Sequence, residues 1–341
     1  MAHTGKRATI VDIAKEVGVS YKTVSRVLNG EPHVKADLRE RVLKVAKSLN
    51  YHPNLLAQSL VTRRSFLVGL VYENPSPSYT VELQMGMLDR LKDERYRMIV
   101  IPVPSVSEHA GEIVGLLRSA ALDGVVLAPP ASDHPKILQD LQDAGMPFAR
   151  IAPTQQFDVG LNTLLDDVAA AREIAAHVIS FGHRDIAIIK GNPTHHSSEA
   201  RLCGYRQAMT DAGLELNANR TEQGNYTFDS GYEAGQRIFA ADIIPTAILA
   251  QNDDMAVGAL MAARDAGLSI PDDISIVGFD DSEISRIVWP RLTTIRQPVS
   301  EMASTATDML IATLKGERPT DDRTHMYTLL IRASVAAPAN R

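Results

Sequence analysis

The sequence predicts an all-α helix-turn-helix head followed by an α/β body built on buried parallel sheets. Three observations carry that prediction. Residues 9–29 set two short amphipathic stretches around a glycine, and from residue 66 onward short Val/Ile-rich runs alternate with helical patterns. Charge is also divided unevenly: residues 1–64 hold 12 Lys/Arg against 5 Asp/Glu, the rest 23 against 36, and the whole chain of 341 residues carries −6. A basic head on an acidic body suits a chain in which only the head touches a polyanion.

The first helix starts after Thr9, a good N-cap with Asp12 three residues on, and its apolar Ile10, Ile13, Ala14 and Val17 recur at helical spacing. Gly18 ends it. Ser20 then caps a second helix whose Val24, Val27 and Leu28 face inward, so that Tyr21, Lys22, Ser25, Arg26 and Asn29 are left outside. A polar outer face on the second helix of such a pair is what reads bases and phosphates. From about Ala36 a third helix places Leu38, Val42, Val45, Ala46 and Leu49 on one stripe, which closes a small core over the other two.

In the body, strands are expected at Phe66–Tyr72, Met98–Val103, Gly124–Leu127, Phe148–Ile151, Ile186–Ile189, Ala247–Ala250 and Ile274–Phe279. Continuous apolar runs separated by helical patterns mean sheets covered on both faces. Such sheets take ligands at the carboxyl ends of their strands, and two of them facing each other make a cleft that closes on a small molecule.

Composition removes several function classes. The single Cys203 excludes an intramolecular disulfide, and neither an apolar run near eighteen residues nor a signal-peptide core follows the polar start, so a cytoplasmic protein is expected. His195-His196 is an adjacent pair without the spaced further ligands of a metal site, so no metal is expected. A Gly-x-Ser-x-Gly elbow and a phosphate-binding glycine loop are both missing. No enzyme activity and no cofactor are expected.

Several motifs together identify a relationship. The runs Asp12-Ile-Ala14, Gly18-Val-Ser-Tyr-x-Thr-Val-Ser-Arg26, His33-Val34, Asn50-Tyr-x-Pro-Asn54 and Ala57-Gln-x-Leu60 resemble the lac repressor (LacI/GalR) family of bacterial transcription regulators, and the likeness continues to about residue 335. The resemblance implies a DNA-binding head over 1–52, a hinge helix and linker over 53–65, and a two-lobed core over 66–341 similar to periplasmic sugar-binding proteins. It further implies an N-lobe of about 66–165 and 297–325 and a C-lobe of about 166–296 and 326–341.

For the head, the resemblance makes Tyr21 and Lys22 the base-discriminating positions and Arg26 a further base contact. Lys22 departs from the family's best-known pattern, which has Gln. Gln pairs bidentately with adenine, whereas Lys only donates and prefers guanine or a phosphate, so a different operator is expected. Thr9, Ser20, Thr23, Asn29, His33 and Asn54 read as backbone-positioning groups, with Thr9 and Ser20 open to a second reading as plain helix caps. Ser25 and Ala57 complete the DNA-facing set. Leu60 sits where the family wedges a leucine into the minor groove when two hinge helices meet.

For the body, the resemblance assigns Glu199-Ala-Arg-Leu-Cys-Gly-Tyr205, Gln251-Asn-Asp-Asp254 and Val277-Gly-Phe-Asp-Asp281 to the effector motifs. Arg201, Asn252 and Asp280 are thereby expected around the cleft, where guanidinium and carboxylate can each bond vicinal sugar hydroxyls. Tyr226 matches a ring that stacks on effector, Tyr79 is a candidate second platform, Arg150 and Asp166 lie where the lobes should meet, and Gln297 resembles a crossover position near the cleft.

The expectation is a sugar-released repressor of carbohydrate-utilisation genes, acting as a homodimer on a pseudopalindromic operator in the bacterial nucleoid. Trp289 and the first lobe's helices are candidates for the dimer face, and the end at Ala337–Arg341 lacks the leucine heptads of a tetramer. Two other readings stay open: a co-repressor type in which a ligand such as a purine strengthens DNA binding, and a sugar-binding protein whose head is idle.

Overall fold

The computed structural model describes residues 8–28, 34–51, 64–73, 76–319 and 323–339. Contacts divide the chain into two compact units, Met1–Phe66 and Leu67–Arg341.

The first unit holds α1 (Ile10–Val17), α2 (Tyr21–Leu28) and α3 (Ala36–Ser48). A full capping box starts α1: the Asp12 amide donates to the Thr9 hydroxyl at 3.3 Å, and the Thr9 amide donates to the Asp12 carboxylate at 2.8 Å. Gly18 closes the helix in the left-handed region at φ +75°. The three helices share one core of Ile13, Ala14, Val17, Val24, Val27, Val42 and Ala46. Arg41 ties α3 to the end of α1 by donating to the Val17 carbonyl at 3.0 Å.

The second unit builds two sheets. One is six-stranded, ordered β11 (Arg323–His325), β5 (Leu161–Leu165), β4 (Phe148–Ile151), β3 (Gly124–Leu127), β1 (Leu67–Glu73), β2 (Arg97–Val103), with all pairings parallel. Helices α5 (Val106–Ser119) and α6 (Pro135–Asp143) bury Ile113, Leu117, Ile137 and Leu141 on one face. Helix α12 (Val299–Lys315) lies against β3, β4 and β5 and against α4 (Pro77–Leu91) on the other.

The other sheet is four-stranded and parallel, ordered β7 (Thr221–Gln223), β6 (Ile186–Lys190), β8 (Ala247–Ala250), β9 (Ser275–Val277). One face is covered by α7 (Asp167–Ser180) and α8 (His196–Asp211), and the opposite face by α9 (Phe228–Phe239) and α10 (Asp253–Asp265). After α11 (Glu283–Ile287), strand β10 (Thr294–Arg296) pairs antiparallel with β12 (Thr328–Leu330) and bridges to Asp280 beside the second sheet.

Every strand expected from the sequence forms, with ends shifted by one or more residues in several of them. Strands β5, β7 and β10 to β12 were not anticipated, being short and, at β5 and β11, half-exposed. Among the described residues no helix is long and apolar enough to cross a membrane.

Candidate DNA-reading face and ligand cleft

In the head, the two hydroxyls open to two readings both cap helices. Thr9 caps α1 as described, and Ser20 accepts from the Thr23 amide at 3.1 Å. With Val24 and Val27 buried, the 3.6-residue period leaves Tyr21, Lys22 and Arg26 exposed and Thr23 and Ser25 half-buried on the outer side of α2. Expected DNA contacts Asn29, His33, Asn54, Ala57 and Leu60, with most of the hinge segment, lie outside the described residues.

In the second unit one cleft is lined by Tyr79, Arg201, Tyr226, Asn252, Asp280 and Gln297, joined by Ser76, Pro129, Ala152, Asp167, His195 and Ser197. Each lies beyond the carboxyl end of a strand, in loops or the first two helical turns after strands of both large sheets or, for Gln297, directly after β10. Parallel strands point their chain ends the same way, so residues far apart in sequence converge there.

Arg201 is the hub. Its Nε donates to the Asp167 carboxylate at 2.7 Å, its Nη1 donates to the Gln251 carbonyl at 2.6 Å and stands 3.9 Å from Asp280, and its guanidinium lies 3.8 Å over the Phe279 ring. Burial works against its charge, but Asp167, Tyr226 and Asp280 more than offset this and hold the guanidinium firmly protonated. Asp280 sits at φ +115° in the turn after β9 and accepts from Gln297 Nε2 at 2.5 Å. Its carboxyl is held well above the usual carboxylate range by burial; Asp253 pushes the same way, while Arg201 and Gln297 pull it down.

Tyr226 forms an aromatic wall. Its ring occupies the space a side chain at Gly191 would need, since a Cβ there would fall 2.0 Å from the ring. Asn252 both caps α10, accepting from the Met255 amide at 3.0 Å, and donates to the Tyr226 carbonyl at 2.9 Å. The helix cap thus also fixes the loop that carries the ring. Burial pushes the Tyr79 and Tyr226 phenols up, so both remain neutral donors.

Arg150 and Asp166 do not join this lining. Arg150 is fully buried beneath the loop after β4, where it pairs with Asp133 at 3.1 Å and donates to the carbonyls of Ser132, Gln155, Gln156 and Val159. A guanidinium with five donors satisfies a bend rich in carbonyls that no sheet can pair. Asp166 caps α7, accepting from the Ala169 amide at 2.8 Å, and the next residue, Asp167, turns inward to Arg201 instead. The doublet was visible in the sequence; which member faces the cleft follows from the cap.

Ser76, Pro129, Ala152 and Ser197 were also missed, as was His195. It packs its ring 5.2 Å from that of Tyr226 and reaches to 3.9 Å from Glu73 at the end of β1, so it contacts both sheets' loops. Among the described residues no cluster of three metal-ligating side chains occurs.

Comparison with known proteins gives this geometry a family. Residues 9–54 match the model for bacterial regulatory proteins of the lacI family, and 175–335 match a periplasmic binding protein-like domain. Catabolite control protein A of Priestia megaterium is 31% identical over 307 residues, covering 89% of this chain and 91% of that protein. Among solved structures, the lac repressor dimer bound to operator and the anti-inducer ONPF superposes with a TM-score of 0.83 at 28% identity, covering 97% of this chain and all of that one. A complex of the transcriptional regulator CelR with cellobiose matches at 0.72 and 28%, covering 96% of this chain and 100% of that one. The reading of the body as a sugar-binding protein with an idle head gives way to these matches. The chain belongs to the LacI family of DNA-binding transcription regulators, a family of regulators and not of enzymes.

Proposed function

We propose that this regulator is a homodimeric repressor of carbohydrate-utilisation genes, freed from a pseudopalindromic operator when a small sugar closes its cleft. The observation that carries the reading is the convergence of Arg201, Asp280, Asn252 and Tyr226 on one cavity between two sheets. A guanidinium, a carboxyl, an amide and an aromatic face are what a polyhydroxylated ring recognises. The CelR match, solved with cellobiose, supports the same ligand class.

In this reading residues 1–52 bind DNA through Tyr21, Lys22 and Arg26 at bases and through Thr9, Ser20, Thr23, Asn29 and His33 at phosphates, with Ser25 on the same DNA-facing side and Asn54 adding a phosphate contact from the segment that follows. Segment 53–65, with Ala57 and Leu60, is the hinge. The core then divides into an N-lobe of 66–165 and 297–325 and a C-lobe of 166–296 and 326–341. Sheet membership supports this: β5 and β11 pair in the six-stranded sheet although nearly 160 residues separate them. Such a protein works in the cytoplasm, where the operator is.

Ligand must favour one lobe arrangement over the other to shift anything. The test selects an operator from random palindromic DNA and follows its binding by fluorescence anisotropy against panels of sugars, sugar phosphates and purines. Release by a sugar, lost in Arg201→Ala and Asp280→Asn, is expected. Tighter operator binding with a purine would replace this reading by the co-repressor type.

A further inference from the structure

His195 and His196 stand at the start of α8, after a strand of the four-stranded sheet, and both imidazoles meet side chains carried by the six-stranded one. His195 Nε2 lies 3.9 Å from Oε1 of Glu73 at the end of β1, an ion-pair distance when the ring is protonated. His196 Nε2 lies 3.1 Å from Nε2 of Gln155, in the loop between β4 and β5. The same Gln155 nitrogen donates to the Asp133 carbonyl at 3.2 Å, so its amide presents an N–H to the ring and His196 accepts.

Each of these groups is fixed within its own half of the core. The second oxygen of Glu73 accepts from the amide of Val106, first residue of α5, at 2.7 Å. Burial pushes the Glu73 carboxyl up, yet His195 and the Val106 amide outweigh it and hold the group below the usual glutamate range. Gln155 belongs to the bend organised by buried Arg150, which donates to the Gln155 carbonyl at 2.8 Å, while the neighbouring Thr154 amide donates to Asp133 at 3.0 Å. On the other side Asn192 accepts from the Thr194 amide at 2.8 Å and donates to Asn225 at 2.7 Å. The His195 amide donates to the Asn192 carbonyl at 3.1 Å, and Tyr226 backs the ring. Side chains held in this way lose little rotamer freedom when they meet, so more of the contact energy is left to hold the two halves together.

The chain passes between the layers of the two sheets at 165–167, 296–299 and 325–328, and short connections of this kind are where two bodies pivot. We propose that His195 and His196 form a latch across the rim of the cleft, holding the two halves shut through Glu73 and Gln155 before any ligand enters. The latch depends on no particular class of ligand. It acts on the balance of states: a ligand that binds the shut arrangement has its apparent affinity reduced in proportion to the rarity of that arrangement without it, and the latch removes part of the reduction. The histidine pair, idle as a metal site, thereby sets how much of the closure the effector itself must drive.

The test is hydroxyl-radical footprinting of the ligand-free, full-length protein, read by mass spectrometry at Tyr79, Tyr226 and Tyr205. The first two rings line the cleft from opposite sides, whereas Tyr205 is fully buried in the core beside the second sheet and reports unfolding. Glu73→Gln combined with His196→Ala removes both contacts while keeping an acceptor for the Val106 amide. Oxidation of Tyr79 and Tyr226 is expected to rise about threefold, the size set by two partly exposed contacts, with Tyr205 unchanged. Gln155→Ala alone should raise the same two rings by less; Gln155 lies on a different loop from Tyr79, so a rise there is not a local effect. Tyr79 as protected in the double variant as in wild type overturns the latch, and so does a rise confined to Tyr226, which touches His195 directly. Should Tyr205 oxidise faster in the double variant, Gln155→Ala decides by the same criterion.

Discussion

Among the described residues no cation stands against the Asp253 carboxyl. It is fully buried behind the cleft, where the Thr294 hydroxyl donates to it at 2.6 Å and the Ser282 amide at 2.7 Å, and these bonds pin the turn that carries Asp280. Burial outweighs the bonds and pushes its pKa up to about 7. The unfolded chain gives up that proton near 3.8, so between the two values the folded state holds more protons and stability falls as pH rises. The contribution is complete below about 4 and gone above about 7, at on the order of 1 kcal/mol per pH unit. Urea denaturation of wild type and Asp253→Asn between pH 5 and 8 should therefore give curves that diverge, the wild type losing more; parallel curves would show that the carboxyl is ionised throughout. The sequence revealed this turn as an acidic motif and gave Asp280 a place at the cleft, but not the burial that separates the work of Asp253 from that of Asp280. Arg150 shows the same limit from the other side: an arginine ending a strand reads as a cleft residue until the loop carbonyls that consume it are known.

Among elements, the head was the most readable, because α1 and α2 are defined by local chemistry: a Thr9–Asp12 capping box, a glycine exit and a period of 3.6. Strands β1, β3, β4, β6 and β8 were readable for a similar reason, each being a largely buried apolar run, and β2 by its apolar sequence although only Ile101 and Val103 of it are buried. Strand β11 was not, since Arg323-Thr-His325 becomes a strand only by pairing with β5 far upstream. The exit at Gly18 offers a clean measurement. Its φ of +75° disfavours any side chain, yet a Cβ there would touch nothing within 4 Å, so substitution probes backbone strain alone. Gly18→Ala should lower the protection of α1 and α2 amides against hydrogen exchange in the full-length protein by about 1 kcal/mol. Gly18→Asn, which tolerates this region better, should lower it less. Equal protection in all three proteins would mean that the turn relaxes freely and that helix packing, not the glycine, sets the angle between the two helices.

For the whole molecule, the arrangement of α4 bears on assembly. Its inner face buries Leu83, Met87 and Leu91, yet Val81, Met85 and Leu88, one turn apart on the outer side, remain 56%, 56% and 48% exposed. An apolar stripe of this kind on a helix that is already packed wants a partner, and a second copy of the same helix supplies one under two-fold symmetry. Wild type should sediment as a dimer at micromolar concentration, and Met85→Glu, which sets two like charges together at such an interface, as a monomer. The consequence for DNA follows from linkage of the two heads. A dimer that neutralises roughly eight phosphates gives a log-log salt slope near −7, whereas a monomer with half the contacts gives one near −3.5. Loss of the second head also removes its effective concentration, so operator affinity should fall by about 10²-fold or more in Met85→Glu. A variant that becomes monomeric yet keeps the full slope would mean that one head makes all the phosphate contacts, and the pseudopalindromic operator would have to be abandoned. A variant that stays dimeric would move the interface to another exposed apolar surface, of which Ile287 and Trp289 at 73% and 74% exposure are the next candidates.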